Sequence, residues 1–203
     1  MAEKNYSSFT GVDEFIYKVL GTDEVSQSNP ERIKYLQEIE VEREESIERA
    51  YGDNVTAELA KAAGSTTLTA SFHKLPIEDK KNLFSLKENN GAYFVGNNGM
   101  NYIACMFAQT TESGGKQYVG LFKGVFKMPS LKGQTKEDKP EFSSEESEAE
   151  FMEVAVDGIE GMQSFVLAYD EQGSTKGRDY VYELVFGQPH PDATPSTASD
   201  SNK

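Results

Sequence analysis

Carboxylates are the side chains in this sequence whose spacing could support acid–base catalysis. Glu146, Glu148 and Glu150 alternate along one stretch, and paired carboxylates serve as acid and base in glycoside hydrolysis. Catalytic pairs converge from different strands, and one partner needs an apolar pocket that raises its pKa. Here the glutamates repeat along a single stretch, which is typical of a solvated strand face. The spacing therefore favours a charged surface over a catalytic pair.

The other reactive residues are few and lie apart. Asp53 and Asn54 lack the acidic neighbours of a calcium loop, so a turn is the preferred interpretation. His73 and His190 are the only histidines, at a strand end and in a Pro-rich tail. Cys105, the only cysteine, lies in an apolar run and is predicted to be a buried thiol. The sequence predicts no catalytic residue, no metal site and no cofactor.

Charge and composition narrow the class of protein. The chain has 203 residues, a formal net charge of -14 and a sequence pI near 4.6. Such a charge disfavours binding to phosphate backbones, which requires clustered Lys and Arg. A hydrophobic content of 37% and an aromatic content of 11% can supply one β-rich core. There is no apolar run of about 20 residues and no signal-peptide pattern, so we expect synthesis and use in soluble form. The single cysteine makes a reducing cytoplasm the expected site of synthesis.

The elements that position these carboxylates are organised around residues 33–51. In this stretch many odd-numbered positions are apolar and many even-numbered positions are acidic. The apolar set is Ile33, Tyr35, Ile39, Val41, Ile47 and Tyr51, and the acidic set is Glu38, Glu40, Glu42, Glu44 and Glu48. A helix is the alternative, because Glu and Arg are good helix formers, but its apolar stripe would bury Glu40 and Arg43. We therefore predict a half-buried strand with an acidic outer surface.

Period-two alternation also predicts most of the remaining structure. The predicted strands are residues 12–20, 33–51, 65–74, 100–109, 117–127 and 142–156, and residues 76–87 are predicted to form a helix. Residues 52–64, rich in small and polar side chains, are interpreted as a long excursion between strands. The apolar clusters at 165–169 and 180–186 fit either a hairpin or a strand followed by a helix.

Aromatic residues and glycines occupy alternate positions, and therefore one face, of the predicted strand at 117–127. Tyr118, Phe122 and Phe126 alternate there with Gly120 and Gly124. This ladder could stack nucleic-acid bases, but the acidic chain around it favours core packing. The chain as a whole is predicted to be one domain at 11–186, with a polar arm at 1–10 and a disordered Pro/Ser/Thr-rich tail at 187–203.

Five short motifs follow one another along most of the chain. They are GVDEF (11–15), YGDN (51–54), LPIED (75–79), YVGLFKGVF (118–126) and KPEF (139–142). Their order and spacing resemble the major tail proteins of long-tailed phages that infect Gram-positive bacteria. The resemblance extends from residue 11 to about residue 153 and is weakest after residue 156.

The resemblance implies a mainly β fold and a structural role. The implied fold is a β-sandwich or partly closed barrel with one flanking helix, a long stacking loop and flexible terminal arms. Subunits of this family form six-membered rings that stack into a tail tube around a DNA channel. The implied location is the virion, after assembly in the host cytoplasm. The implied partners are further copies of the chain and the tape measure, distal tail and tail terminator proteins, with no membrane and no specific DNA binding.

Two groups of residues acquire expected roles from this resemblance. The candidate lumen-facing residues are Glu38, Glu40, Glu42 and Glu44, and the candidate inter-ring loop contains Tyr51, Gly52, Asp53, Asn54 and Glu58. Two other classes of protein stay open. A β-sandwich carbohydrate-binding or adhesion module predicts an exposed aromatic patch and no assembly, and an acidic hydrolase predicts a pocket with a carboxyl of raised pKa.

Overall fold

The computed structural model describes residues 6–21, 27–52, 55–97, 99–131 and 144–193, with backbone alone at residues 50–52, 55–58 and 60–63. The first strands are β1 Phe9–Leu20, β2 Glu31–Ile33, β3 Leu36–Gly52 and β4 Val55–Phe72, followed by helix α1 Ile77–Leu83. Strands β5 Lys87–Asn89, β6 Ala92–Phe94, β7 Tyr102–Thr111 and β8 Lys116–Lys127 come next. The last elements are β9 Glu145–Phe151, β10 Val154–Ala155, β11 Met162–Gln163, β12 Phe165–Asp170 and helix α2 Lys176–Phe186.

One large antiparallel sheet dominates the molecule. Its strand order is β2-β1-β7-β8-β9-β4-β3, and β12 also pairs with β8. The prediction of a mainly β, sandwich-like fold is confirmed, and no strand pairing among the described residues closes the sheet into a barrel. Two helices accompany the sheet instead of the one expected. The clusters at 165–169 and 180–186, left open by the sequence, are a strand and a helix.

Strands β9 and β12 run one after the other along the same edge of β8. Phe151, at the end of β9, lies opposite Gly124, and Phe165, at the start of β12, lies opposite Leu121. The chain between them leaves the sheet and forms the small hairpin β10–β11. Residues 152–164 are therefore an excursion from an otherwise continuous line of strand.

The main core lies on the inner face of the sheet. Alternate residues of β1, β4, β7, β8 and β9 point into it, as period-two alternation predicts. Its largest fully buried members include Phe15, Tyr17, Ile33, Leu68 and Phe72. Phe15 and Phe72 pack edge to face, with ring centroids 5.1 Å apart. The strands predicted at residues 12–20 and 65–74 thus each bury one set of alternate side chains.

A second core lies between the outer face of the sheet and α2. Tyr118 and Phe122 belong to this core, whereas Phe126 belongs to the main core. The prediction that all three share one face is wrong because the pairing of β7 with β8 shifts between Ile103 and Cys105. Such a β-bulge places an extra residue in one strand and moves the following side chains to the opposite face.

Charged groups hold both ends of α2. Asp170, which is buried, accepts hydrogen bonds from the backbone N–H groups of Gly177 and Arg178 at 2.8 and 2.9 Å. At the other end, the buried ammonium of Lys18 donates to the carbonyl oxygen of Phe186. A carboxylate at the N-terminus and a cation at the C-terminus both match the helix dipole. The two contacts fix the helix against β12 and β1.

Helix α1 begins after Pro76, as predicted, but ends at Leu83 and not at residue 87. A buried polar cluster anchors it. The Tyr17 hydroxyl donates to Asp79 Oδ1 at 2.7 Å, and the Asn82 side-chain amide donates to the Tyr17 oxygen at 3.1 Å. Desolvation by burial raises the pKa of Asp79, and it also raises the pKa of Tyr17. The cluster joins α1 to β1 beneath the sheet.

The raised pKa of Asp79 predicts a specific pH dependence of stability. A carboxyl with a higher pKa in the folded than in the unfolded state stabilises the fold most at low pH, and that contribution is lost as the pH rises through the folded pKa. Asp79→Asn does not titrate, so we expect it to gain stability relative to the wild type as the pH rises from below 3.8 to neutral. Urea unfolding of both chains across this range measures the difference. A difference that is constant, or that shrinks toward neutral pH, contradicts the prediction.

Candidate assembly surfaces

The acidic stretch forms a strand, as predicted. The strand pairing is interrupted near the start of the stretch, between Ile33 and Leu36. Tyr35 adopts a left-handed conformation, with φ of 64°, and separates β2 from β3. From Leu36 onward the glutamates predicted to face outward, Glu38, Glu40, Glu42 and Glu44, are exposed, while Ile39 and Val41 pack against the main core. The candidate lumen-facing residues therefore share one solvent face, which we call the acidic face.

Strand β9 extends the acidic face. The sequence did not reveal this extension. The register places Glu40 opposite Thr69 of β4, and Thr69 opposite Glu148 of β9. The same cross-strand arrangement recurs on either side, as Glu38–Ser71–Glu146 and as Glu42–Thr67–Glu150. A row of hydroxyl side chains thus separates two rows of exposed carboxylates.

Few cations compensate this face. Within the described part of the chain, the ion pair on it joins Lys127 to Glu148. Neighbouring glutamates on one side of a strand lie about 7 Å apart. Their repulsion is on the order of 0.6 kcal/mol per pair in water before salt screening. The arrangement costs stability, so folding alone does not account for it.

This cost is measurable. We expect Glu40→Gln/Glu42→Gln to raise the free energy of unfolding by about 1 kcal/mol at low ionic strength, because both lose like-charged neighbours. The gain should nearly vanish at 1 M salt, where the Debye length is about 3 Å. Glu160→Gln/Glu171→Gln, in exposed loops, removes the same net charge elsewhere and is the control. Equal effects of the two double variants would argue against local repulsion.

The second candidate surface is the outer half of the β3–β4 hairpin, which we call the ribbon (residues 45–52 and 55–64). Residues 66–72 of β4 pair with both β3 and β9, whereas the ribbon strands pair only with each other among the described residues. A register shift between Arg43 and Glu45 marks where the ribbon begins. The predicted excursion at 52–64 is wrong, because β4 is already a strand from Val55.

The predicted inter-ring residues cluster at the end of the ribbon. Tyr51 pairs with Thr56 and Gly52 with Val55, and Glu58 lies in β4 opposite Ala50. Asp53 and Asn54 lie outside the described residues. The register therefore places three of the five predicted positions in the last paired residues of one hairpin.

The cysteine and the two histidines lie in different parts of the described structure. Cys105 is fully buried, as predicted, and burial raises the pKa of its thiol. His73 stands at the end of β4, and His190 packs 4.7 Å from the ring of Tyr182 although it belongs to the tail predicted to be disordered. Within the described ranges, no three His, Cys, Asp or Glu side chains could hold a metal ion, and no helix is long and apolar enough to cross a membrane.

Comparisons with known proteins give a fold-level likeness. No family model matches the chain, and no curated protein matches it. A solved structure titled as the cryo-EM structure of the anti-feeding prophage baseplate, six-fold symmetrised, aligns with a TM-score of 0.41 at 10% sequence identity. The alignment covers 83% of this chain and 97% of that one. At this identity the likeness concerns the fold alone.

Proposed function

We propose that this chain is the subunit of a phage tail tube, in which six-membered rings stack and the acidic face lines a channel for DNA. The observation that carries this proposal is the continuity of the acidic face. Two rows of glutamates from distant parts of the chain lie on either side of one hydroxyl row, almost without cations. The motif resemblance to major tail proteins supports the same role.

An acidic wall suits the passage of DNA. Proteins hold DNA by neutralising its phosphates with Lys and Arg, which releases counterions and makes binding strong. Glutamates such as Glu40 and Glu42 offer no such neutralisation and repel the phosphates. The Thr and Ser row keeps the wall hydrated between the carboxylates. DNA therefore moves past this surface without adhering to it.

The ribbon provides the contact between rings. An isolated two-stranded ribbon is marginally stable in water, so the ribbon gains stability when it lies on another subunit. Tyr51, Gly52, Asp53, Asn54 and Glu58 belong to this contact. In the virion the further partners of the tube are the tape measure, distal tail and tail terminator proteins.

Electron microscopy of the concentrated, purified chain tests the proposed function. We expect striated tubes or six-fold rings, whose reconstruction places Glu38, Glu40, Glu42 and Glu44 on the inner wall. Glu40→Gln/Glu42→Gln serves as a control that should still assemble, because the carboxylates face solvent. A chain that stays monomeric at every concentration, or a tube with a neutral or basic lumen, would overturn the proposal.

A further inference from the structure

The end of the sheet farthest from the ribbon has features that assembly into rings does not explain. Four residues meet there, where β3 begins and β4 ends: Lys34, Tyr35, His73 and Lys74. The His73 backbone N–H donates to the Tyr35 carbonyl at 3.0 Å, and the two rings pack edge to face at 6.4 Å. We call these four residues the receiving end.

A groove of about 340 Å³ opens beside the receiving end, and its lining holds two carboxylates and two cations. It lies between β1 and the start of β3, with Val12, Ile33 and Leu36 among its walls. Its two carboxylates are compensated, because Asp13 pairs with Arg32 at 2.7 Å and Glu14 pairs with Lys116 at 2.6 Å. Lys34, which also lines the groove, has no ion-pair partner among the described residues, and neither has the exposed Lys74.

Tyr35 is held in an unfavourable position beside this groove. Its positive φ is uncommon for a residue other than glycine and costs on the order of 1 kcal/mol. Its side chain is nonetheless 74% exposed, so burial of the ring does not offset that cost. Exposed tyrosines of this kind are frequent anchors of protein interfaces.

The ribbon complements the receiving end in charge and in apolar surface. Glu44, Glu45 and Glu48 lie on its described part or at its base and outnumber the cations there, which are Arg49 and Arg43, the partner of Glu45. Ile47 and Leu59 are 63% and 62% exposed, and the register makes them diagonal neighbours on one face. At about 3.3 Å per residue the ribbon projects roughly 26 Å beyond its root, which is enough to reach another subunit.

We propose that the ribbon of one copy docks on the receiving end of the next copy, with its glutamates beside Lys34 and Lys74 and its apolar face against Tyr35 and the groove. The ribbon carries an excess of carboxylates and the receiving end carries two lysines without ion-pair partners among the described residues, so the contact joins unlike ends of two chains. Such a heterologous contact leaves a free ribbon at one end of the pair and a free receiving end at the other, so further copies add along the strand direction. The inference rests on the proposed tube, for which it names the surface that receives each ribbon.

Two complementary variants test this contact. In the first, an Asn-Gly turn replaces residues 46–62, which removes the ribbon and leaves the receiving end intact. The second, Lys34→Glu/Lys74→Glu, keeps the ribbon and reverses the charge of the receiving end. The variant without the ribbon should form no stacks alone, and the charge reversal should raise the concentration needed for assembly at least about tenfold. A mixture of the two should form a terminated complex with one variant on each side, detected by sedimentation velocity.

Controls separate this inference from folding and from the tube itself. Lys87→Glu/Lys176→Glu makes the same charge change at exposed sites elsewhere and should assemble like the wild type. Thermal unfolding establishes that each variant is folded. Wild-type tubes together with normal assembly of Lys34→Glu/Lys74→Glu, or with no association in the mixture, would overturn the inference and leave the tube proposal standing. Association in the mixture without wild-type tubes would support the head-to-tail contact and count against the tube.

Discussion

Replacing Asp170 by alanine is expected to lower the free energy of unfolding by about 3 kcal/mol. The carboxylate is buried and accepts three hydrogen bonds, from the backbone N–H groups of Gly177 and Arg178 and from the Ser174 hydroxyl. Alanine leaves the first N–H groups of α2 without these acceptors in a site that water reaches poorly. Urea unfolding measures the loss, and amide hydrogen exchange should show α2 opening before the sheet.

Thr175 provides a matched control for this prediction. It occupies the N-cap position of α2, yet its side chain makes no capping hydrogen bond and instead contacts Asp179 at an exposed site. Thr175→Ala should therefore cost less than about 0.5 kcal/mol. Asp170→Asn, which keeps one acceptor oxygen, should lie between the two. Equal losses for Asp170→Ala and Thr175→Ala would show that Asp170 does not anchor the helix.

The substitution Gly120→Ala is expected to cost about 2 to 3 kcal/mol, because α2 packs directly onto this glycine. A Cβ atom at position 120 would lie 2.5 Å from a methyl group of Val185 and 2.8 Å from one of Val181. Valine side chains in a helix have essentially one rotamer, so they cannot turn away. The helix itself must move, and chemical denaturation should record the cost.

A double-mutant cycle isolates the contact between Gly120 and Val185. Val185→Ala alone should destabilise the chain by removing buried methyl groups. In the double variant Gly120→Ala/Val185→Ala, the new methyl group fills part of the space that valine leaves. The loss should therefore be smaller than the sum of the single losses by at least about 0.5 kcal/mol. Additive losses would place the cost of Gly120→Ala somewhere other than the helix contact.

Local alternation was sufficient to predict the strands that have one buried and one solvated face. Leu68, Ala70 and Phe72 of β4 and the exposed glutamates of β9 follow the period-two pattern that their burial requires. The same pattern identified Glu38 to Glu44 as one surface. Helix α1 was predictable because Pro76 and the acidic first turn mark its beginning.

The missed features depend on contacts between distant parts of the chain. Residues 55–64 contain small side chains without alternation, and they form a strand because β3 pairs with them. The bulge in β8, which separates Phe122 from Phe126, has no local signal. The joining of Glu40 and Glu148 into one surface depends on the position of β4 between their strands. Sequence spacing does not encode such cross-strand neighbours, so the candidate surface was only half predicted.

The excursion between β9 and β12 has a practical consequence for engineering. Both ends of residues 152–164 are fixed by pairing with β8, and the tip around Gly158 is exposed. A peptide tag or a small folded cargo inserted after Gly158 therefore lengthens a part of the chain on which no main-sheet pairing depends. Each subunit could then display one foreign epitope at a defined position, and an assembly of many copies would become a regularly spaced multivalent scaffold.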